Sequence, residues 1–567
     1  MYILGVWDGH DSGAAIVEGK KILFAANEER YTKRKLEVAF PYNSIRAALR
    51  YTGLKPSDIE VVSFPTTEFT KTISRIFPGA KENYYQFRRR KVGKPALEGL
   101  MHYSKYAMTL IGDVPLSRTI SKELVAREMR GLGFRDFRIF NTDHHMSHAA
   151  TAAFTSGMKN SLSVTLDGLG DGLSGSVCTF EHGELKREHS ITARNSIGIF
   201  FEQVTNLVGM RELEDEGKVM AMADYSFPFD FSKNKMREFF KVEGKNIVAK
   251  YGPVEQYRKL GSICWNTPRE QFAYMAQQLL EHIMEKFFSN VIDEYGKSAV
   301  SMAGGLLSNV KANMKVREIE SLKQWHIFPH MGDGGIALGS AMFTNYLLND
   351  VTSYEFNDAY LGEDYSEKEI LSHLKKTSGI TYEKDTDSGG HAADLLEDQE
   401  YVFWFNGRME YGPRALGNRS IVARADSDSV KDKLNLFIKQ REWYQPFAPS
   451  MLYEDANKLL YSDKGKSSFM TMAYAVRESE RESMKSVVHV DLTARPQMLE
   501  KENKQYRRLM EAVKKHTGRG VVLNTSFNIH GSPIVSTPAD AIDTMKKTKA
   551  PYMFLSGYFV ENKDGKK

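Results

Sequence analysis

Two Asp-Gly turns in matching surroundings constrain this chain more than any other feature. Residues 2–7 read as a strand ending in Asp8-Gly9, and residues 161–166 as a strand ending in Asp167-Gly168. In both places a further glycine, Gly13 or Gly172, opens a new strand shortly after the aspartate. Repeats are sought first because they decide the architecture. The matching turns predict a duplicated domain with a cleft between its halves, although two unrelated Asp-Gly hairpins would give the same local signal.

The strands on either side extend that pattern. After residues 13–17 and 22–26, joined by the turn Glu18-Gly19-Lys20, a helix is expected over residues 43–51, with Gly53 as its stop. Residues 59–64 form a further strand. In the second half Thr267-Pro268-Arg269-Glu270 reads as a capping box with proline at N1. Phe272, Met275, Leu279, Ile283 and Phe287 then mark one apolar helical face, closed by Gly296. A strand over residues 299–302 leads into Gly304-Gly305, an arrangement that brings backbone N–H groups close to a nucleotide. Gly332, Gly334 and Gly335 surround Asp333. No P-loop is present and neither glycine cluster fits G-x-G-x-x-G, so a nucleotide here would be held in the manner of the actin and sugar-kinase fold. Residues 66–140 are helical and basic, with the run Arg88-Arg89-Arg90-Lys91, and read as an insertion whose basic run is a lid or a solvated face.

Composition narrows the class. With 567 residues, 41% hydrophobic and 26% charged, the chain has a globular balance rather than a disordered one. No apolar stretch reaches the roughly 20 residues that cross a bilayer. Asp8 and Asp11 directly follow the apolar start, so a strand is expected there and not a secretory signal. Cys178 and Cys264 are the only cysteines, which points to a cytoplasmic protein without disulfides. The formal charge of +5 is a weak nucleic-acid signal, and a few bound phosphates explain it equally well.

Two segments carry chemistry. In His144-His145-Met146-Ser147-His148, the outer histidines stand four apart, share a helical face and can converge on one cation. Thr142 or Asp143 can cap that helix. The bland alternative is a pair of surface or helix-end histidines. Imidazole with carboxylate would suit Fe²⁺, Zn²⁺ or Mn²⁺. After a polar, acidic linker over residues 349–369 comes an arginine-dense stretch that includes Arg408, Arg414, Arg419, Arg424, Lys439 and Arg441. Guanidinium groups on glycine- and proline-rich turns suit bidentate capture of phosphate oxygens. Only Glu410, Asp426 and Glu442 lie nearby to pair with them, so a polyphosphate or acyl-phosphate site is expected over a salt-bridged loop. Asn524, Thr525, Ser526 and Asn528 present small polar side chains at the end of a strand.

The series Asp8-Gly9-His10-Asp11, His144 to His148, Glu216-Gly217-Lys218-Val219-Met220, Gly304-Gly305 and Gly412-Pro413-Arg414-Ala415-Leu416-Gly417 resembles the O-carbamoyltransferases of the nodulation and antibiotic-tailoring type. Arg441-Glu442-Trp443, Pro446-Phe447-Ala448-Pro449-Ser450 and Asn524-Thr525-Ser526-Phe527-Asn528 complete the series. One departure is Met222-Ala223-Asp224, where the family usually has Gly-Leu-Ala. The resemblance implies an α/β chain with a duplicated actin-like (ASKHA) domain over residues 1–352, a linker over 353–365 and a YrdC-like domain over 366–567. It implies that the C-terminal domain makes carbamoyladenylate from carbamoyl phosphate and ATP, with Mg²⁺. The N-terminal domain then transfers the carbamoyl group to an acceptor hydroxyl.

By the same analogy His144, His148, Asp167 and Asp333 hold a metal, Fe²⁺ before Zn²⁺ or Mn²⁺. Gly168, Lys218, Gly304, Gly305 and Asn309 take the nucleotide. Arg408, Arg414, Arg419, Lys439, Arg441, Arg495, Asn524, Ser526 and Asn528 take the phosphates, with Arg414 and Lys439 catalytic. An alcohol needs a general base, and His10 beside Asp11 is the candidate because imidazole is matched to neutral pH. A structural hydrogen bond from His10 to Asp8 or Asp11 weighs equally. The acceptor is expected to be a small or sugar-like molecule; a nucleic-acid acceptor has no support, no membrane is involved, and a homodimer is compatible. The alternatives are a tRNA-modifying threonylcarbamoyl transferase and an actin-fold carbohydrate kinase.

Overall fold

Ile3, Leu4 and Val6 are all but completely buried, so the first strand is covered on both faces and stands in the middle of its sheet. The computed structural model describes residues 1–92, 114–462 and 464–565; residues 93–113 of the segment expected to be a helical insertion lie outside the described residues. Two compact units form: Met1–Glu28 with Leu36–Phe356, and Glu29–Lys35 with Asn357–Lys567.

The N-terminal unit contains the duplication. Strands β1 (Tyr2–Trp7), β2 (Gly13–Glu18), β3 (Lys21–Asn27), β4 (Ile59–Pro65) and β5 (Arg138–Thr142) form a sheet of order β3-β2-β1-β4-β5. The second copy has β6 (Asn160–Gly170), β7 (Leu173–Glu181) and β8 (Glu184–Thr192). A separate two-stranded hairpin follows, β9 (Phe240–Glu243) and β10 (Asn246–Ala249), and then β11 (Ala299–Ala303) and β12 (Gln324–Ile327) complete the order β12-β11-β6-β7-β8. In each sheet the first three strands are antiparallel and the last two run parallel to the first. The repeat read from the two turns is therefore a repeat of topology.

The last helix of each half packs on the sheet of the other half. Helix His144–Thr155 lies on β6 and β11, and helix Ile336–Asn349 on β1, β2 and β4. Small residues permit this. A Cβ on Gly339 would overlap the carbonyl oxygen of Ser147, and one on Gly5 the carbonyl oxygen of Ala337. Hydroxyls fasten the crossing: Ser63 Oγ lies 2.6 Å from both Ser340 Oγ and Thr344 Oγ1, and Thr142 Oγ1 lies 2.8 Å from Ser340 Oγ.

Several local expectations change. Helix Arg269–Tyr295 begins after Pro268, which is its N-cap, and no side chain caps it. The expected capping box is therefore absent, because Thr267 stands one residue too early. A formed box instead closes the acidic linker, where Ser366 and Glu369 start helix Glu367–Lys376. Nor is the basic run a solvated face. Arg88 and Arg89 are buried, with Arg88 paired to Glu202 and to Glu212 at 2.6 Å, while Arg90 donates to the carbonyls of Asn206 and Gly209. Tertiary partners outweigh the solvation that a charge run would otherwise seek. The helical segment also ends by Arg138, where β5 pairs with β4.

The C-terminal unit is a mixed sheet of order β13-β22-β21-β14-β15-β20-β16-β19, with a two-stranded β17–β18 ribbon. Its strands are β13 (Ile380–Lys384), β14 (Val402–Phe405), β15 (Arg419–Arg424), β16 (Ala448–Leu452), β17 (Tyr474–Ala475), β18 (Thr493–Ala494), β19 (Gln497–Leu499), β20 (Val521–Ser526), β21 (Tyr552–Leu555) and β22 (Tyr558–Asn562). Trp404, Tyr506, Leu509 and Phe554 form its core under helices Ser388–Glu397 and Lys504–Thr517. Both cysteines are free, and no helix among the described residues is long and apolar enough to cross a membrane.

Gly339→Ala is expected to push the two central helices apart and cost about 1–3 kcal/mol. A lowered melting transition of the N-terminal unit, with that of the C-terminal unit unchanged, would be the sign.

Candidate functional site

Asp143 caps helix His144–Thr155 by accepting from the Met146 N–H at 2.9 Å, which turns His144 and His148 onto one side of its first turns. Asp333 stands just before helix Ile336–Asn349, and Asp167 near the end of β6. The crossing of the two halves brings all four together. Each offers one ligand atom, and these atoms lie within 4.8 Å of one another. His144 Nε2 is 3.4 Å from Asp167 Oδ2 and 3.5 Å from Asp333 Oδ1, and His148 Nε2 is 3.6 Å from Asp333 Oδ1.

The donor set fits a divalent cation. Two imidazoles and two carboxylates at these separations can share one ion at about 2.0–2.2 Å from each. His148 Nε2 is buried without a hydrogen-bond partner. Thr66 Oγ1 lies 3.3 Å from His144 Nδ1, the kind of contact that orients a ligand ring and leaves Nε2 for metal. Burial disfavours a charged His144, but Asp333 and Asp167 outweigh it and raise its pKa to about 10. Burial likewise opposes charge on Asp333, and the surrounding histidines overcome it, holding the carboxylate well below its usual range. His145 is different: it meets Thr165 Oγ1 at 2.9 Å, and burial followed by the His144 charge lowers its pKa to about 3. It is a neutral core histidine.

The first Asp-Gly turn reaches the same place. His10 Nδ1 is 3.7 Å from Asp333 Oδ2, its ring stacks on Tyr85, and its Nε2 is buried without a partner. The hydrogen bond from His10 to Asp8 or Asp11 is not the one formed. Asp8 instead receives Arg75 at 2.9 and 3.0 Å and Lys71 at 3.0 Å, while Lys81 donates to its carbonyl oxygen. Burial would raise the Asp8 pKa, yet these cations hold it well below the usual carboxylate range. Asp11 Oδ2 lies 3.7 Å from His330 Nε2, which is 2.8 Å from Asn27 Oδ1.

The nucleotide candidates divide. The Gly305 N–H donates to Asp167 Oδ1 at 2.6 Å, so it steadies a ligand carboxylate. Gly304 has φ +108°, and a Cβ there would overlap Leu166 backbone. Gly168 adjoins Asp167, with Glu202 close by. The other two are tied up locally: Lys218 pairs with Asp215 at 3.1 Å, and Asn309 caps helix Val310–Glu318 and bonds to Gln277. The departure at Asp224 is an ion pair with Lys311.

Within the C-terminal unit, Arg414 and Arg441 lie close enough to Arg495 to disfavour its charge. Burial, then Arg414 and Arg441, lowers the Arg495 pKa well below its ordinary value, and burial lowers those of Arg414 and Arg441 to about 10. Arg414 and Arg495 have no hydrogen-bond or ion-pair partner among the described residues. Lys439 ends the π-helical turn Leu434–Lys439, an element common at functional sites. It donates to Asn528 Oδ1 at 2.8 Å and to the Ser526 carbonyl, so these three candidates meet.

Three other phosphate candidates support the loop instead. Arg419 is fully buried on β15, donates to the carbonyls of Asn406, Gly407 and Asn418, and lies over the Phe405 ring. Arg408 donates to the carbonyls of Leu361 and Gly362. Asn524 is buried, donating to the Ala415 carbonyl and to Ser450. Sequence reading passed over Arg75, Lys71, Lys81 and His330. Only His330, three residues before Asp333, carried a local signal.

Comparison with known families shows this chain to be a carbamoyltransferase. The Carbamoyltransferase N-terminus family model matches residues 2–342 and the Carbamoyltransferase C-terminus model residues 393–562. The chain belongs to that family and is a transferase. Nodulation protein NolNO of Sinorhizobium fredii (strain NBRC 101917 / NGR234) is 31% identical over 98% of this chain and 79% of its own length. The 3'-hydroxymethylcephem-O-carbamoyltransferase of Streptomyces clavuligerus is 28% identical over 59% of this chain and 62% of its own. The solved structure of T. kodakarensis HypF is 15% identical and covers 62% of this chain and 48% of its own, with a TM-score of 0.35, too low to bear on the fold.

His148→Ala is expected to lose most bound metal with the fold intact; undiminished metal by elemental analysis would remove His148 from the site. With the His144 pKa at about 10, metal must displace a proton from that ring at neutral pH. Affinity of the metal-free protein should therefore rise about tenfold per pH unit up to that pKa. Titration calorimetry in buffers of different ionisation enthalpy should find one proton released.

Proposed function

We propose that this protein is an ATP-dependent O-carbamoyltransferase that works in two stages. Its C-terminal, YrdC-like unit makes carbamoyladenylate from carbamoyl phosphate and ATP, with one water consumed and inorganic phosphate and pyrophosphate released. Its N-terminal, actin-like unit passes the carbamoyl group to an alcohol. The observation that carries this reading is the half-buried set Arg414, Arg441 and Arg495, in which Arg414 and Arg495 lack any counter-charge among the described residues. Partly buried guanidinium groups without a counter-charge favour phosphate oxygens held in line for displacement. Family membership supports carbamoyl as the group carried.

In the transfer stage the acceptor oxygen attacks the carbamoyl carbon, and the bond to AMP breaks. His10 takes the hydroxyl proton at Nε2, the ring nitrogen left without a partner, while Asp333 faces Nδ1 and stabilises the imidazolium. A divalent metal held by His144, His148, Asp167 and Asp333, iron by the resemblance, would supply Lewis-acid polarisation of the carbamoyl carbonyl and bind phosphate oxygens. The relative named for a hydroxymethylcephem supports a small-molecule alcohol as acceptor. Dependence on ATP suits a cytoplasmic protein.

Arg414→Ala should slow carbamoyl-phosphate-dependent pyrophosphate release 30- to 1,000-fold, equivalent to about 2–4 kcal/mol. Supplied with preformed carbamoyladenylate, it should still carbamoylate the acceptor at a near-normal rate. His10→Asn should do the reverse, releasing pyrophosphate but transferring slowly. If His10→Asn stops pyrophosphate release without acceptor while Arg414→Ala leaves it intact, the division of labour is wrong.

A further inference from the structure

The stretch between β3 and helix Tyr42–Thr52 leaves the N-terminal unit, and Glu29–Lys35 is part of the C-terminal one. Seven residues from near the start of the chain thus stand beside a site built otherwise from residues beyond 400. Arg30 is its most buried member, with 4% of its surface exposed, beside the buried Glu29. Its Nη2 donates to the carbonyl oxygen of Gly412 at 2.8 Å, and its Nη1 lies 3.3 Å from Glu29. Lys33 donates to the Arg30 carbonyl at 2.7 Å and pairs with Asp540, so the segment is anchored just after Arg30.

Gly412 begins the turn that carries Arg414, and its φ of +133° lies where side-chain-bearing residues are strained. The far end of the turn is held by Glu410, whose Oε1 accepts from the N–H groups of Leu416, Asn418 and Arg419 at 2.8–3.0 Å. The near end has the carbonyl of Gly412, and Arg30 takes it. We propose that Arg30 is a positioning residue of the C-terminal anion site, fixing the Gly412–Pro413–Arg414 turn so that the Arg414 guanidinium meets phosphate oxygens. Lys35, at the end of the same segment, adds positive charge near Lys439. The activation half-reaction then depends on a residue encoded in the N-terminal half, a dependence the order of the two family domains hides. The inference rests on reading the Arg414 cluster as an anion site.

The test uses the full chain, with inorganic pyrophosphate as the probe and binding measured by calorimetry. Arg30→Gln should weaken pyrophosphate binding at least about tenfold, the scale of a lost charge-assisted hydrogen bond that aligns a ligand group. Arg30→Lys, which can still donate to Gly412, should restore most of it, and metal content and melting of both units should match the unaltered protein. The rescue separates positioning from simple folding damage. Pyrophosphate affinity within twofold of the unaltered protein in Arg30→Gln would overturn the proposal, as would failure of the unaltered chain to bind pyrophosphate. A chain that binds pyrophosphate yet releases none from ATP and carbamoyl phosphate would instead defeat the reaction proposed above and leave the role of Arg30 standing.

Discussion

Two helices can cross at backbone distance only where a side chain is missing, and Gly339 is that place in the N-terminal unit. There helix Ile336–Asn349 meets the Ser147 carbonyl of helix His144–Thr155, and the loop just before one helix and the first turns of the other come to a single point. Asp333 and His144 with His148 meet for that reason. The hydroxyls of Ser63, Thr142, Ser340 and Thr344 satisfy one another in the same layer, so the close approach leaves those groups hydrogen-bonded.

Charge then breaks the symmetry that the duplication creates. Asp8 and Asp167 occupy equivalent places near the ends of β1 and β6, but Asp8 is held by Arg75 and Lys71 from the helix after β4, whereas Asp167 faces His144. One carboxylate is thus neutralised by its own fold and the other remains available to a cation. Lys71 bears the cost of this burial, and its pKa falls to about 7. His10, two residues beyond Asp8, is left facing Asp333 instead of its neighbours.

The C-terminal unit divides its basic residues by a different rule. Arg408 and Arg419 reach backbone carbonyls of the loop and become part of its scaffold. Arg414 and Arg495 reach none and keep an uncompensated charge. The same residue type in one short stretch supports a turn or offers a ligand contact, according to whether a carbonyl lies within reach.

The paired turns and the histidine-bearing helix were legible in the sequence alone, and the family resemblance singled out His144, His148, Asp167 and Asp333, which the fold brings together. Spacing along a chain sets which residues share a turn or a helical face, and the paired Asp-Gly turns and the four-residue step from His144 to His148 are local facts of that kind. The run of Arg88 to Lys91 looked solvated because its partners Glu202 and Glu212 lie more than a hundred residues away. The four-residue spacing set His144 and His148 apart from His145, but only docking on β6 shows what His145 does, where it meets Thr165. Only the tertiary structure decided that Asp8 pairs with Arg75, that Arg419 is scaffold while Arg414 is free of partners, and that Arg30 belongs to the C-terminal unit. Whether a charged group is paired or left open depends on neighbours brought from distant parts of the chain, and a single sequence does not encode that proximity locally.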